Sequence, residues 1–222
     1  MFKNLNYYLE VAKVLSNKKF NDFKNKKLFI PQTFKMKDDQ FAPQVILIGA
    51  STGGPETLFK VLQDLPKPSL PILIVQHINH SFISHFSERL AKRSGLNISG
   101  NKDQEYLAEN TIYLSFGDYH LTVIEDETSD KLKIKHTLSS PVHYQRPSVD
   151  VLFKSLSLTN AHSIAILLTG MGADGALGMQ SLFSKGTHLT IAQSEDSCVV
   201  FGMPQEALKR SEERRVGKEC LR

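Results

Sequence analysis

From Val45 onward, short continuous apolar runs alternate with longer stretches in which apolar residues recur every three or four positions. The runs "QVILIGA", "LPILIVQH", "TIYLSF", "HSIAILLTG" and "HLTIAQS" are rich in Val, Ile and Leu and predict strands. The intervening periodic stretches predict helices from Pro55 to about Leu65, over Ile83–Arg93, over Ser148–Leu158 and over Ala176–Ser184. Strands that are apolar at every position are buried on both faces. Their alternation with helices therefore predicts an α/β fold: a doubly wound, mostly parallel sheet flanked by helices. Residues 121–137 follow a different rule, alternating polar and apolar positions around "DETSD", and predict an antiparallel hairpin. Ahead of this region, Leu5, Tyr8, Leu9, Ala12 and Leu15 have helical spacing, and the lysine-rich stretch that follows reads as a linker ending near Pro43.

Composition narrows the class. With 41% hydrophobic and 23% charged residues, the chain has the make-up of an ordinary globular protein. No apolar stretch approaches the ~20 residues that span a bilayer, and the start lacks the continuous apolar segment of a signal peptide. We therefore expect a cytoplasmic protein without membrane insertion. Cys198 and Cys220, the two cysteines, are too few for a stapled scaffold and wrongly spaced for a zinc ribbon, and read as unpaired thiols. The net charge of +4 is unevenly spread: residues 1–42 carry +5 and residues 210–222 carry +2, which leaves −3 on the body between them. An acidic body lacks the basic stripe that phosphate backbones require, so nucleic acid is not an expected partner.

Candidate chemistry collects where predicted strands end. Gly49-Ala50-Ser51-Thr52-Gly53 has the G-x-S-x-G pattern with a buried strand before it and a helix pattern after it. Taken alone, this segment fits either a nucleophilic serine on a sharp turn or a glycine-rich loop that cradles phosphate. A serine needs a base, and His77 closes the next buried strand, which as a parallel neighbour would deliver it to the same edge. His80 and His85 lie close by, but with Glu88 as their one nearby acid they make a weak metal set. A third buried strand ends in "LTGMGADGALGM", where Asp174 sits among glycines before a helix and reads as the orienter of the histidine or as a helix cap. His188 would restore the serine, acid, histidine order of α/β-hydrolases, yet it begins its strand and would fall at the opposite edge.

These segments resemble the catalytic domain of the CheB chemotaxis protein-glutamate methylesterases. The resemblance rests on "IGASTGG", "VQH", "RPSVDVLF", "LTGMGADGALGM" and "AQSEDSCVVFGMP", five matches in order from about Val45 to Leu208. It implies a catalytic Ser51, His77 and Asp174, with main-chain groups near Thr52 and Met171 shaping the oxyanion and substrate site. It further implies hydrolysis of glutamate γ-methyl esters on the cytoplasmic helices of chemoreceptors, deamidation of receptor glutamines by the same acyl chemistry, and no metal or organic cofactor. Arg146 and Asp150 would either meet the receptor or support the fold, and structural roles are the first expectation. A general α/β-hydrolase, a phosphate-binding module and an inactive receptor-binding remnant are the alternatives. Only activity separates the last of these from the esterase.

Both ends depart from the family pattern. Members usually carry an N-terminal phosphoacceptor receiver domain. Residues 1–42 are too few for one and read as the remnant of its last helix plus linker, so control by phosphorylation is not expected. Residues 43–209 read as the catalytic domain, shortened at its C-terminal end. The string "RSEERRVGKEC", from Arg210 to Cys220, has no apolar period and resembles the in-frame translation of a sequencing adapter, so residues 210–222 are set apart from the fold.

Overall fold

The structure, a computed structural model, describes residues 42–64, 70–100, 102–115, 118–186 and 188–219. The helix and linker expected within residues 1–41 lie outside the described residues, as does Cys220. Eight strands are present among them: β1 (Val45–Ala50), β2 (Ile72–Gln76), β3 (Asn97–Ser99), β4 (Thr111–Leu114), β5 (His120–Glu125), β6 (Leu132–Thr137), β7 (Ser163–Leu167) and β8 (His188–Ala192). Five α-helices accompany them: α1 (Gly54–Asp64), α2 (His80–Ser94), α3 (Val149–Ser157), α4 (Ala176–Lys185) and α5 (Gly202–Glu219).

Six strands form one sheet in the order β3-β4-β2-β1-β7-β8, with every pairing parallel. The hairpin β5-β6 is antiparallel, with Val123 opposite Ile134. The expected α/β class and the separate hairpin are both borne out. Side chains two apart on a strand share a face, and this rule divides the core. Ile46 and Ile48 of β1 join Ile72 and Ile74 of β2 beneath α1 and α2, with Phe59 and Phe86 between the layers. Val45 and Leu47 face the other way, onto α3, α4, the start of α5 and the inner side of the hairpin, through Leu152, Phe153, Met179, Met203 and Ile134.

Because β1 has β2 on one side and β7 on the other, the chain reverses its direction of winding at β1, where a crevice opens beyond the strands' carboxyl ends. The turns after β1, β2 and β7 all open onto that crevice.

Three elements depart from the sequence expectation. Helix α2 begins at His80 instead of Ile83, because the Asn79 side chain accepts the Ser81 N–H at 3.0 Å and caps the helix early. His80 therefore opens the helix. The edge strand β3 was not expected, being three residues long and partly exposed. Nor was α5, which continues to Glu219.

Candidate active site

Three adjacent strand ends supply the expected residues. Ser51 follows β1, and its N–H donates to Thr169 O at 3.0 Å just beyond β7, which fixes the turn against the third strand. His77 follows β2, and its N–H donates to Ala50 O at 3.0 Å. Between them stands the buried side chain of Gln76, whose Nε2 donates to Ser51 O at 3.0 Å and to His77 O at 2.9 Å. One amide thus holds the main chains of both residues together.

His77 Nε2 lies 2.8 Å from Asp174 Oδ2, and the two side chains are 7% and 3% exposed. Asp174 also accepts from Val149 N at 2.8 Å on Oδ2, and from Ser148 Oγ at 2.7 Å and Asp150 N at 2.9 Å on Oδ1. Burial pushes this carboxyl's pKa up, but the hydrogen bonds from His77, the Asp150 N–H, Ser148 and the Val149 N–H outweigh it and hold the group below its ordinary range. An ionised carboxylate only accepts, so Nε2 of His77 carries the hydrogen and Nδ1 keeps a lone pair for a proton.

Asp174 was weighed as a cap for the helix that follows it. It does cap a helix, but a different one: its acceptors take the first N–H groups of α3. The arrangement is reciprocal. Asp150, in the first turn of α3 and fully buried, accepts Gly178 N of α4 at 2.6 Å through Oδ1. Gly178 permits this approach, since a Cβ there would stand 2.5 Å from Phe153 Cβ. Asp150 Oδ2 takes His143 Nε2 at 3.1 Å. Burial raises the Asp150 pKa, the Asp174 charge adds to the rise, and the Gly178 N–H and His143 oppose it.

His143, Asp150 and Asp174 bring ligand atoms within 4.8 Å of one another. The four hydrogen bonds at Asp174 nevertheless occupy the lone pairs of both its oxygens, so a cation there would have to displace its donors.

The third turn is organised by Thr169. Its buried hydroxyl donates to Thr52 O at 2.9 Å and accepts from Val199 N at 3.1 Å and Val200 N at 2.9 Å, while its own N–H donates to Gln193 Oε1 at 2.7 Å. Gly170 then passes close to the serine: a Cβ at that position would lie 2.7 Å from Ser51 Cβ. Among the described residues, no acceptor pairs with the main-chain N–H of Thr52 or of Met171, the two positions expected at the oxyanion site. Met171 itself is exposed.

His188 opens β8 opposite Ser163, and its Nδ1 lies 2.9 Å from Ser163 Oγ at the amino edge of the sheet. It is thus held at the edge away from Ser51, as its strand position predicted. Arg146 reaches the main chain through Nη1 to Ser139 O at 3.0 Å. Cys198 is a free, half-buried thiol whose pKa burial pushes up to about 11.

Residues 46–218 match the family model described as CheB methylesterase. The chain belongs to the CheB methylesterase family. Among relatives, it is 46% identical over 168 residues to the protein-glutamate methylesterase/protein-glutamine glutaminase 2 of Shewanella sp. (strain MR-4), covering 75% of this chain and 47% of that protein. To the protein-glutamate methylesterase/protein-glutamine glutaminase of Salmonella typhi it is 40% identical over 185 residues, covering 83% of this chain and 52% of that protein. The chain therefore spans about half the length of these curated relatives. Its fold matches the CheB methylesterase catalytic domain of Thermotoga maritima with a TM-score of 0.70 at 31% identity, over 77% of this chain and 89% of that one.

Within this CheB fold, sequence reasoning missed Gln76, Ser148, Thr169 and His143; Asp150 was expected to support the fold first, and its buried hydrogen bonds with Gly178 and His143 fit that role. Ser148 alone left a signal, as a cap-type residue at the start of a predicted helix. The others act through contacts between distant segments and leave no local pattern.

Proposed function

We propose that this chain is a serine esterase that hydrolyses glutamate γ-methyl esters on the cytoplasmic helices of methyl-accepting chemoreceptors, with Ser51 as nucleophile, His77 as base and Asp174 as its orienter. The observation that carries the reading is the buried 2.8 Å contact of His77 Nε2 with Asp174, set at the strand end next to the Ser51 turn. That contact leaves Nδ1 of His77 as the proton acceptor.

Ser51 Oγ attacks the ester carbonyl carbon as its proton passes to His77 Nδ1. The N–H groups of Thr52 and Met171, free of protein acceptors among the described residues, receive the developing oxyanion. As the intermediate collapses, the carbonyl–methoxy bond breaks and the Nδ1 proton leaves with methanol. Water, deprotonated by the same nitrogen, then cleaves the acyl-serine and frees the glutamate carboxylate and the serine hydroxyl. A primary amide would follow the same path with ammonia as the leaving group, which is the glutaminase activity that the relatives' names carry. The Asp174 charge stabilises the imidazolium in both half-reactions.

Residues 43–209 carry this chemistry in the proposal, with 1–42 as a leader and 210–222 standing apart. The test is methanol release from methylated chemoreceptor membranes by the purified chain, with hydrolysis of a small activated ester followed in parallel. Ser51→Ala should reduce both by at least a thousandfold without loss of fold. A folded native chain that cleaves neither substrate would point to an inactive receptor-binding remnant. Undiminished turnover by Ser51→Ala would remove the serine from the chemistry.

A further inference from the structure

The segment ahead of α3 contains a two-residue hairpin turn. Val142 and Gln145 exchange both main-chain hydrogen bonds, N to O at 3.1 Å and 2.9 Å, and His143 and Tyr144 between them have φ of 51° and 61°. Positive φ at both central positions is the mark of a type I′ turn, which asparagine followed by glycine fills at little cost. A histidine and a tyrosine there are held in a region that side chains with a Cβ avoid.

The fold accounts for the first of the two residues. His143 is itself exposed, but its Nε2 meets the buried Asp150, whose main chain in turn holds Asp174. The hairpin is therefore linked to His77 through three successive contacts, by way of Asp150 and Asp174. The fold does not account for the second. Tyr144 is 100% exposed, so its ring contributes nothing to packing, yet it occupies the position where glycine would fit best. Strained backbone of this kind clusters at sites that bind or act on other molecules.

Apolar side chains are also exposed around the serine turn. Met171, 75% exposed, follows β7 in the turn beside Ser51, and Val199, 69% exposed, packs against Gly53 in the serine turn. A methyl ester alone is too small to touch both Ser51 and a tyrosine beyond Asp150. A polypeptide carrying the ester extends far enough, and a tyrosine offers such a surface a broad apolar face with a polar tip and few rotamers to immobilise.

We propose that Tyr144 is a specificity-determining residue that contacts the protein substrate outside the ester, presented by a strained turn that His143 fastens to the Asp150–Asp174 network. This inference rests on the esterase reading above and adds a binding residue to it.

The experiment compares native chain, Tyr144→Ala, Tyr144→Gly and Tyr144→Phe on two substrates, methylated chemoreceptor membranes and p-nitrophenyl acetate, with melting curves for each. Loss of the ring should lower kcat/KM on the receptor about tenfold, mainly through KM, the size expected for a contact residue of this type. The fall on the small ester should be at least fivefold smaller. Tyr144→Phe should recover most of the receptor activity. Tyr144→Gly should melt no lower than the native chain, since glycine relieves the positive φ. Receptor turnover within twofold of native in both the Ala and Gly variants overturns the inference, as does an equal fall on both substrates. A native chain that cleaves p-nitrophenyl acetate but releases no methanol from receptors would sink the substrate reading itself, and this inference with it.

Discussion

At the scale of single residues, two fully buried histidines set the acid limit of the fold. His188 touches Ser163 through Nδ1, and its Nε2 is buried without a partner among the described residues. Burial first, then the charges of Lys185 and His162, push its pKa down from 6.5 to about 4. His120 is lowered in the same direction by burial, and both its nitrogens are engaged: Nδ1 accepts the Ser148 N–H and Nε2 donates to Ser140 O. A histidine with a depressed folded value binds its proton more readily when unfolded. Its contribution to stability is therefore complete above about pH 6.5 and is lost as pH falls toward about 4, up to about 3 kcal/mol for His188. Asp174, a carboxyl whose pKa is lowered, gives way in a separate and more acid window, below the ordinary carboxylate value. Asparagine can keep the Nδ1-side contact to Ser163 without titrating. Denaturant unfolding of His188→Asn should thus lose less stability between pH 7 and pH 4.5 than the native chain loses. Identical slopes would show that the buried imidazole does not titrate on unfolding.

At the scale of elements, the site is an agreement among three turns, and Gly170 is where two of them meet. A Cβ there would crowd Ser51 Cβ at 2.7 Å and overlap the Met203 sulfur. The methionine end can swing aside, whereas the serine is fixed by its N–H to Thr169 O and by the Gln76 amide on its carbonyl. Gly170→Ala should therefore cost about 1–3 kcal/mol of stability and, with Ser51 as the proposed nucleophile, lower kcat for methanol release more than tenfold, because a shift of a fraction of an ångström would take the hydroxyl off its carbonyl. Native kcat in a folded Gly170→Ala chain would mean that the turns are looser than this geometry. The same scale explains what was legible beforehand. Ser51, His77 and Asp174 could be read because each follows an apolar run that can only be a buried strand, and parallel strands deliver their ends to one edge. Thr169 and Gln76 could not, since a hydroxyl and an amide look alike in sequence whether they face solvent or hold three segments together. Helix α5 was missed because it lacks the apolar stripe on which the reading depends, and its Glu, Lys and Arg residues favour helix by propensity alone.

At the scale of the whole molecule, α5 also decides how much chain the domain needs. Its buried side chains among those described are Met203, Pro204 and Ala207, all in the first two turns, and the Met203 N–H donates to Gly170 O at 2.9 Å beside the serine turn. Those contacts close the second core face and brace the site from behind. These contacts precede Arg210 and anchor the first two turns of the helix. A chain ended at Lys209 should then keep native methanol release and melt within about 3 °C of the longer one, the shift that about 1 kcal/mol produces at this size. A fall of 10 °C or more, or lost turnover, would mean that residues 210–222 belong to the folded unit and that the division at 209 is misplaced. An unchanged chain would put the working boundary of the domain at Lys209.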